Sequence, residues 1–263
     1  MHPVLIALPG LPAIYSYGFF LFLGLLTACF VGVYLAHRDN IDTDHMFNIA
    51  IMSVITGIGG GRLEYVRTHW AEKFADAPMD ALNLREGGYV FYGGLICAVA
   101  VDFAYLLIRK VPIGRVLDAG AVGIPIGIAF ARIGCFLAGC CYGQPTDLPW
   151  GVRFPAGGLP PSDVDLHPTQ LYEFAATATM IGLLLAWRRV RPIYGLGLPI
   201  LGGLYGSWRI FNESLRGDGE RGTVLDGLMT NGQMTSLILM GIAAAGAVAL
   251  WRAGERRAPT AAG

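Results

Sequence analysis

Charge is scarce in this chain. Only 14% of its 263 residues are charged, against roughly 25% in a soluble domain. Lysine plus arginine and aspartate plus glutamate stand at 19 each, so the formal net charge is zero. That balance gives no reason to expect a nucleic-acid partner. No fixed-period repeat and no low-complexity linker interrupts the sequence. One domain over residues 1–251 is therefore expected, followed by a loose tail, 252–263, on the cytoplasmic side. The amino-terminal end lacks the positive start and small-residue cleavage site of a signal peptide. Its first apolar stretch is expected to be kept as a span. The five cysteines do not resemble a secreted disulfide framework, because Cys29 and Cys97 lie inside apolar runs.

Apolar residues and glycine are abundant instead. Apolar types make up 54% and glycine supplies 37 residues, and the mean hydropathy is +0.52. Helices in lipid tolerate more glycine than soluble ones. A span needs about 20 mostly apolar residues. Seven stretches qualify: 15–36, 46–66, 90–108, 116–138, 171–187, 196–215 and 234–251. The expected fold is an all-α integral membrane protein with about seven transmembrane helices. Pro192 and several glycines blur the junction of the fifth and sixth. Residues 139–170, rich in Pro, Gly and Asp, must lie outside the hydrocarbon.

Positive charge sets the orientation. One set of loops holds Arg38, Arg109, Lys110, Arg115, Arg188, Arg189, Arg191, Arg252, Arg256 and Arg257. The other holds Arg67, Lys73, Arg85, Arg153, Arg216 and Arg221. The richer set is placed in the cytoplasm, which puts the N-terminus outside and the C-terminus inside. Arg62, Arg132 and Arg209 remain within spans two, four and six. A charge at a helix centre costs at least ~2.5–3.5 kcal/mol and marks a functional site by default. All three fall late in spans that run outward, so they are expected near the outer leaflet. Tyr17, Tyr92, His167, Gln170 and Glu173 reach the same level from the opposite direction, and Glu213 lies one turn after Arg209. Guanidinium forks suit phosphate oxygens, and the phosphate at hand is a lipid headgroup. Snorkelling anchors, or a structural Arg209–Glu213 pair, are the plainer readings of the same residues.

Several patterns together resemble the prolipoprotein diacylglyceryl transferase family. Residues 131–143, A-R-I-G-C-F-L-A-G-C-C-Y-G, are similar to its signature G-R-x-G-N-F-x-N-x-E-x-x-G. Residues 166–173, L-H-P-T-Q-L-Y-E, match its H-P-[ST]-Q-L-Y-E segment. Residues 60–66, 89–95 and 205–216 match in order. The resemblance implies transfer of the diacylglyceryl group of phosphatidylglycerol to the thiol of a prolipoprotein lipobox cysteine, releasing glycerol phosphate. It implies a multi-pass protein of the bacterial inner membrane with its active site toward the periplasm. The partners implied are phosphatidylglycerol, the lipobox peptide and the bilayer, with no cofactor and no metal. Arg132, Arg209, Tyr92 and His167 become the catalytic candidates. Tyr17, Arg62, Cys135, Gln170, Glu173, Glu213 and Arg216 become the substrate-binding ones.

Three positions depart from the family pattern. Tyr92 stands where a histidine is usual, and a phenol of pKa ~10 is a poor base at neutral pH. Cys135 stands for the signature Asn, and Cys140, beside Cys141, for the signature Glu. The cysteines admit several readings: small residues filling helix contacts, a disulfide of Cys135 with Cys140 or Cys141, a zinc site with His167, or an acyl-carrying nucleophile. A cysteine-dependent lipid acyltransferase and a non-catalytic phospholipid-binding paralogue therefore stand as alternative functions.

Overall fold

The computed structural model describes residues 2–7, 13–84, 87–191, 193–217 and 222–255. Arg85, Pro192, Arg221, Arg256 and Arg257 lie outside the described residues, as does the expected tail beyond Glu255. Each of the seven apolar stretches carries a helix: α1 (Ser16–Arg38), α2 (Thr43–Thr68), α3 (Phe91–Ile108), α4 (Ile113–Ala138), α5 (Thr169–Val190), α6 (Gly197–Leu215) and α7 (Asn231–Glu255). The last helix runs beyond Arg252, into the segment expected to be loose. Two short antiparallel pairs add to the helices. β1 (Val4–Ile6) and β2 (Ile14–Tyr15) lead into α1, and β3 (Thr223–Val224) and β4 (Met229–Thr230) lead into α7.

Five helices, α1, α2, α3, α4 and α7, are long and apolar enough to cross a membrane. Their large apolar side chains face outward, among them Phe22, Phe30, Ile55, Ile96 and Ile242, while Gln170, Glu173, Thr177, Asn212 and Glu213 are buried. This reverses the soluble pattern and fits a bundle solvated by lipid. The protein is a helical integral membrane protein.

The chain forms two compact units. The smaller, Val33–Val116, is built on α2 and α3. Lipid offers no hydrophobic drive between helices, so close backbone approach through small residues must supply the attraction. A Cβ on Gly94 would lie 2.4 Å from the Gly57 carbonyl oxygen, and one on Gly60 would lie 2.8 Å from that of Gly93. The connection between the two helices includes a π turn, Trp70–Phe74, and a 3-10 turn, Pro78–Leu82.

The larger unit comprises Met1–Gly32 and Leu117–Gly263. Glycines again bring its helices together. A Cβ on Gly134 of α4 would lie 3.0 Å from Tyr17 Cα of α1, and one on Gly202 of α6 would lie 2.9 Å from Ala243 Cβ of α7. Asp118 of α4, fully buried, accepts the Gly197 N–H at 2.8 Å. A carboxylate there suits the positive end of α6.

Candidate active site

The site grows from the carboxyl-terminal end of α4. Gly139 has φ +75°. Its N–H donates to Phe136 O at 3.3 Å, and the Cys140 N–H donates to Cys135 O at 3.1 Å. This is the Schellman ending of a helix, in which the side chains three residues before and two after the cap residue meet. Here those two are Cys135 and Cys140. Cys141 then takes φ +63°, an uncommon conformation for a non-glycine residue, and turns the chain toward α5 and α6. The Cys140 carbonyl accepts Gln170 Nε2 at 2.7 Å and the Cys141 carbonyl accepts Thr169 Oγ1 at 2.7 Å. Gln144 N–H donates to Leu215 O at 2.8 Å and Gly217 N–H to Tyr142 O at 3.2 Å. The loop after α4 is thereby sewn to the start of α5 and the end of α6.

Glu173 of α5 is the centre. It is fully buried. Its Oε1 accepts the Tyr205 hydroxyl at 2.8 Å, and its Oε2 accepts Asn212 Nδ2 at 3.0 Å. Two guanidiniums converge on that same Oε2: Arg132 Nε at 3.1 Å and Arg209 Nη1 at 3.6 Å. Arg209 also places Nη2 2.5 Å from Glu213 Oε2. Burying a carboxylate is tolerable only when it is paired and hydrogen-bonded, and Glu173 is both. The pairing holds two arginines from different helices side by side, each with 16% of its side chain still exposed.

Some buried polar atoms around this centre lack a hydrogen bond among the described residues: Arg209 Nη1, Gln170 Oε1 and Asn212 Oδ1. Each such atom costs about 1–3 kcal/mol if left unsatisfied. Arg216 caps α6, is buried, and lies within electrostatic reach of Cys141. The Cys141 thiol is held below its ordinary range, by hydrogen bonds with the Cys135 and Cys140 thiols and, against burial, by the Arg216 and Arg132 guanidiniums. The three thiol sulfurs lie within 4.8 Å of one another, and all five cysteines are free. Tyr17, half exposed at the start of α1, is within electrostatic reach of the same thiols and Arg132.

The structure thus brings Tyr17, Arg132, Cys135, Gln170, Glu173, Arg209, Glu213 and Arg216 together in the larger unit. These motif residues come from four helices, α1, α4, α5 and α6. The sequence profile for prolipoprotein diacylglyceryl transferase matches residues 3–251. The chain belongs to this family. The phosphatidylglycerol–prolipoprotein diacylglyceryl transferase of Clostridium tetani is 36% identical over 92% of this chain and 96% of its own length. The protein of the same name from Shewanella oneidensis is 33% identical over 88% of this chain and 87% of its own.

Three expected residues sit elsewhere. Arg62 belongs to the smaller unit, where it is buried. It donates from Nε to Ala81 O at 3.0 Å, from Nη2 to Asp80 O at 2.7 Å and from Nη1 to Gly87 O at 2.5 Å. It also packs against the Tyr65 and Phe74 rings. Tyr92, also in that unit, is exposed in the first turn of α3 and meets Phe91 edge-on. His167 lies in the larger unit but lines a separate cavity of about 560 Å³ with Trp150, Tyr172, Trp208 and Phe211. Its Nδ1 is 3.2 Å from the Tyr172 hydroxyl. Sequence reasoning missed Tyr205 as a partner of Glu173. The signal was present: positions 205, 209, 212, 213 and 216 fall on one face of a helix.

Proposed function

We propose that this chain transfers the diacylglyceryl group of phosphatidylglycerol to a lipobox cysteine thiol, with Arg132 and Arg209 as the groups that hold the reacting phosphate. The observation that carries the reading is the convergence of two guanidiniums on the buried Glu173 carboxylate, with Arg209 Nη1 lacking a hydrogen bond. The guanidinium forks of Arg132 and Arg209 suit the oxygens of a phosphodiester. In the reaction the thiol sulfur attacks the glyceryl carbon next to the phosphate. The carbon–oxygen bond breaks, and the phosphate moves from one negative charge toward two. Fixed guanidiniums aimed at those oxygens bind the later, more charged state better, which is what lowers a barrier.

The headgroup explains the remaining atoms. A glycerol headgroup carries hydroxyl donors, and the acceptors Gln170 Oε1 and Asn212 Oδ1 have none among the described residues. Tyr17 lies within electrostatic reach of Arg132, while the motifs they occupy make Tyr92 and His167 catalytic candidates and Arg62 a substrate-binding one. The relatives' names supply the donor lipid and the acceptor protein. In this reading α5 and α6 also cross the bilayer, giving seven spans. Residues 1–251 form one membrane domain, with the N-terminus and the site toward the periplasm and the C-terminus cytoplasmic, as the loop charges argue. Low hydropathy in α5 and α6 is then the consequence of the polar face they give to the site.

The test is incubation of purified protein with labelled phosphatidylglycerol and a lipobox peptide. Thioether-linked product on the peptide is expected. A hydroxylamine-sensitive label on the protein, or lipid binding without turnover, would replace this reading with an acyltransferase or a lipid-binding one.

A further inference from the structure

The three thiols at the end of α4 have no part in the phosphate chemistry. Contact between Cys135 and Cys140 follows from the Schellman geometry alone. Cys141 does not. It joins them through a left-handed backbone, φ +63°. All three sulfurs then fall within 4.8 Å of one another. About 2.3 Å is the zinc–sulfur bond length, which puts sulfurs sharing a zinc roughly 3.8–4.0 Å apart. The thiols need close by no more than about 1 Å. Their backbone is already fixed by the Gln170 and Thr169 hydrogen bonds at 2.7 Å, the kind of outer support that orients metal ligands. Arg132 and Arg216 lie within electrostatic reach of Cys141.

We propose that Cys135, Cys140 and Cys141 form a trithiolate site for a zinc-like thiophilic divalent cation, whose fourth position takes the acceptor thiol. Three protein ligands with one open position is the arrangement of reactive rather than structural zinc, and a thiol that coordinates zinc is deprotonated outright. This answers a need of the proposed reaction, on which the second half of the inference rests. The acceptor thiol must lose its proton, yet the candidate bases are a phenol, Tyr92, and an imidazole, His167, whose Nδ1 is 3.2 Å from Tyr172. On coordination the proton passes to water. The sulfur then gives an electron pair to the glyceryl carbon. The carbon–oxygen bond breaks, with its pair leaving on glycerol phosphate between Arg132 and Arg209. Nothing is oxidised or reduced, and the neutral thioether is a weak ligand that departs.

The full chain, purified in detergent under reducing conditions, tests both halves. Loading with Zn²⁺ or Co²⁺ should give one ion per chain, and the cobalt form should show a sulfur-to-metal charge-transfer band. Cys140→Ser and Cys141→Ser should each lose the ion, whereas Cys29→Ser and Cys97→Ser should keep it. A lipobox peptide should intensify the cobalt band, and its Cys→Ser version should leave the band unchanged. Chelation should lower transfer at least ~100-fold, with recovery on adding Zn²⁺. Reduced protein that binds neither ion overturns the site. A metal-free protein that transfers at the full rate overturns the role. Metal content and the cobalt band need no turnover, so they fail or hold separately from the transferase reading.

Discussion

At the scale of single residues, Glu173 holds the site together. It accepts Tyr205 and Asn212 and pairs with both Arg132 and Arg209. Removing one partner of a buried ion pair leaves an uncompensated charge and costs about 3–5 kcal/mol. Glu173→Ala is expected to lose that much, read as thermal unfolding in detergent, and Glu173→Gln less. Stability unchanged in Glu173→Ala would mean that the arginines do not depend on it. Arg62 behaves differently. Its guanidinium gathers the carbonyls of Asp80, Ala81 and Gly87, a fan that an ammonium cannot reproduce. Arg62→Lys should expose the connection between α2 and α3 to limited proteolysis. A digestion pattern identical to that of the unaltered protein would refute this. The sequence alone made Arg62, Arg132 and Arg209 look alike, as arginines late in outward-running spans. What separates them is tertiary: carbonyls from a loop some twenty residues away claim one, and a carboxylate on another helix claims the other two.

At the scale of elements, glycine contacts decide which helices pair. Gly94 of α3 leaves no room for a side chain against Gly57 O, at 2.4 Å from an added Cβ. Gly94→Val should force α2 and α3 apart and destabilise by roughly 1–3 kcal/mol, seen as a lower melting temperature; no change would show that the crossing is loose. All seven helices were legible in the sequence, because a stretch of about 20 mostly apolar residues has few other uses. Their ends differ from expectation by a few residues, since caps such as Asp42, whose side chain accepts the Asp44 N–H, extend a helix beyond its apolar part. The loop after α4 was legible only as something outside the hydrocarbon. Its convergence of three thiols depends on two left-handed residues, Gly139 and Cys141, and nothing in the spacing of the cysteines reveals a positive φ at Cys141.

At the scale of the whole molecule, the proposed topology follows from charge. Reporter fusions active only in the periplasm should be silent after Lys110 and after Arg189, and active after Gln144; the reverse pattern would invert the proposed orientation. The loop charges favour this arrangement without dictating it, because Arg67, Lys73 and Arg153 lie on the other side of the balance. The proposed role of Arg132 and Arg209 is to act on the phosphate as its charge grows. Its most direct test is the single-turnover transfer rate of Arg209→Ala at saturating phosphatidylglycerol. The rate should fall by ~100-fold, or about 3 kcal/mol, with lipid binding largely kept. A rate equal to that of the unaltered protein would contradict the claim.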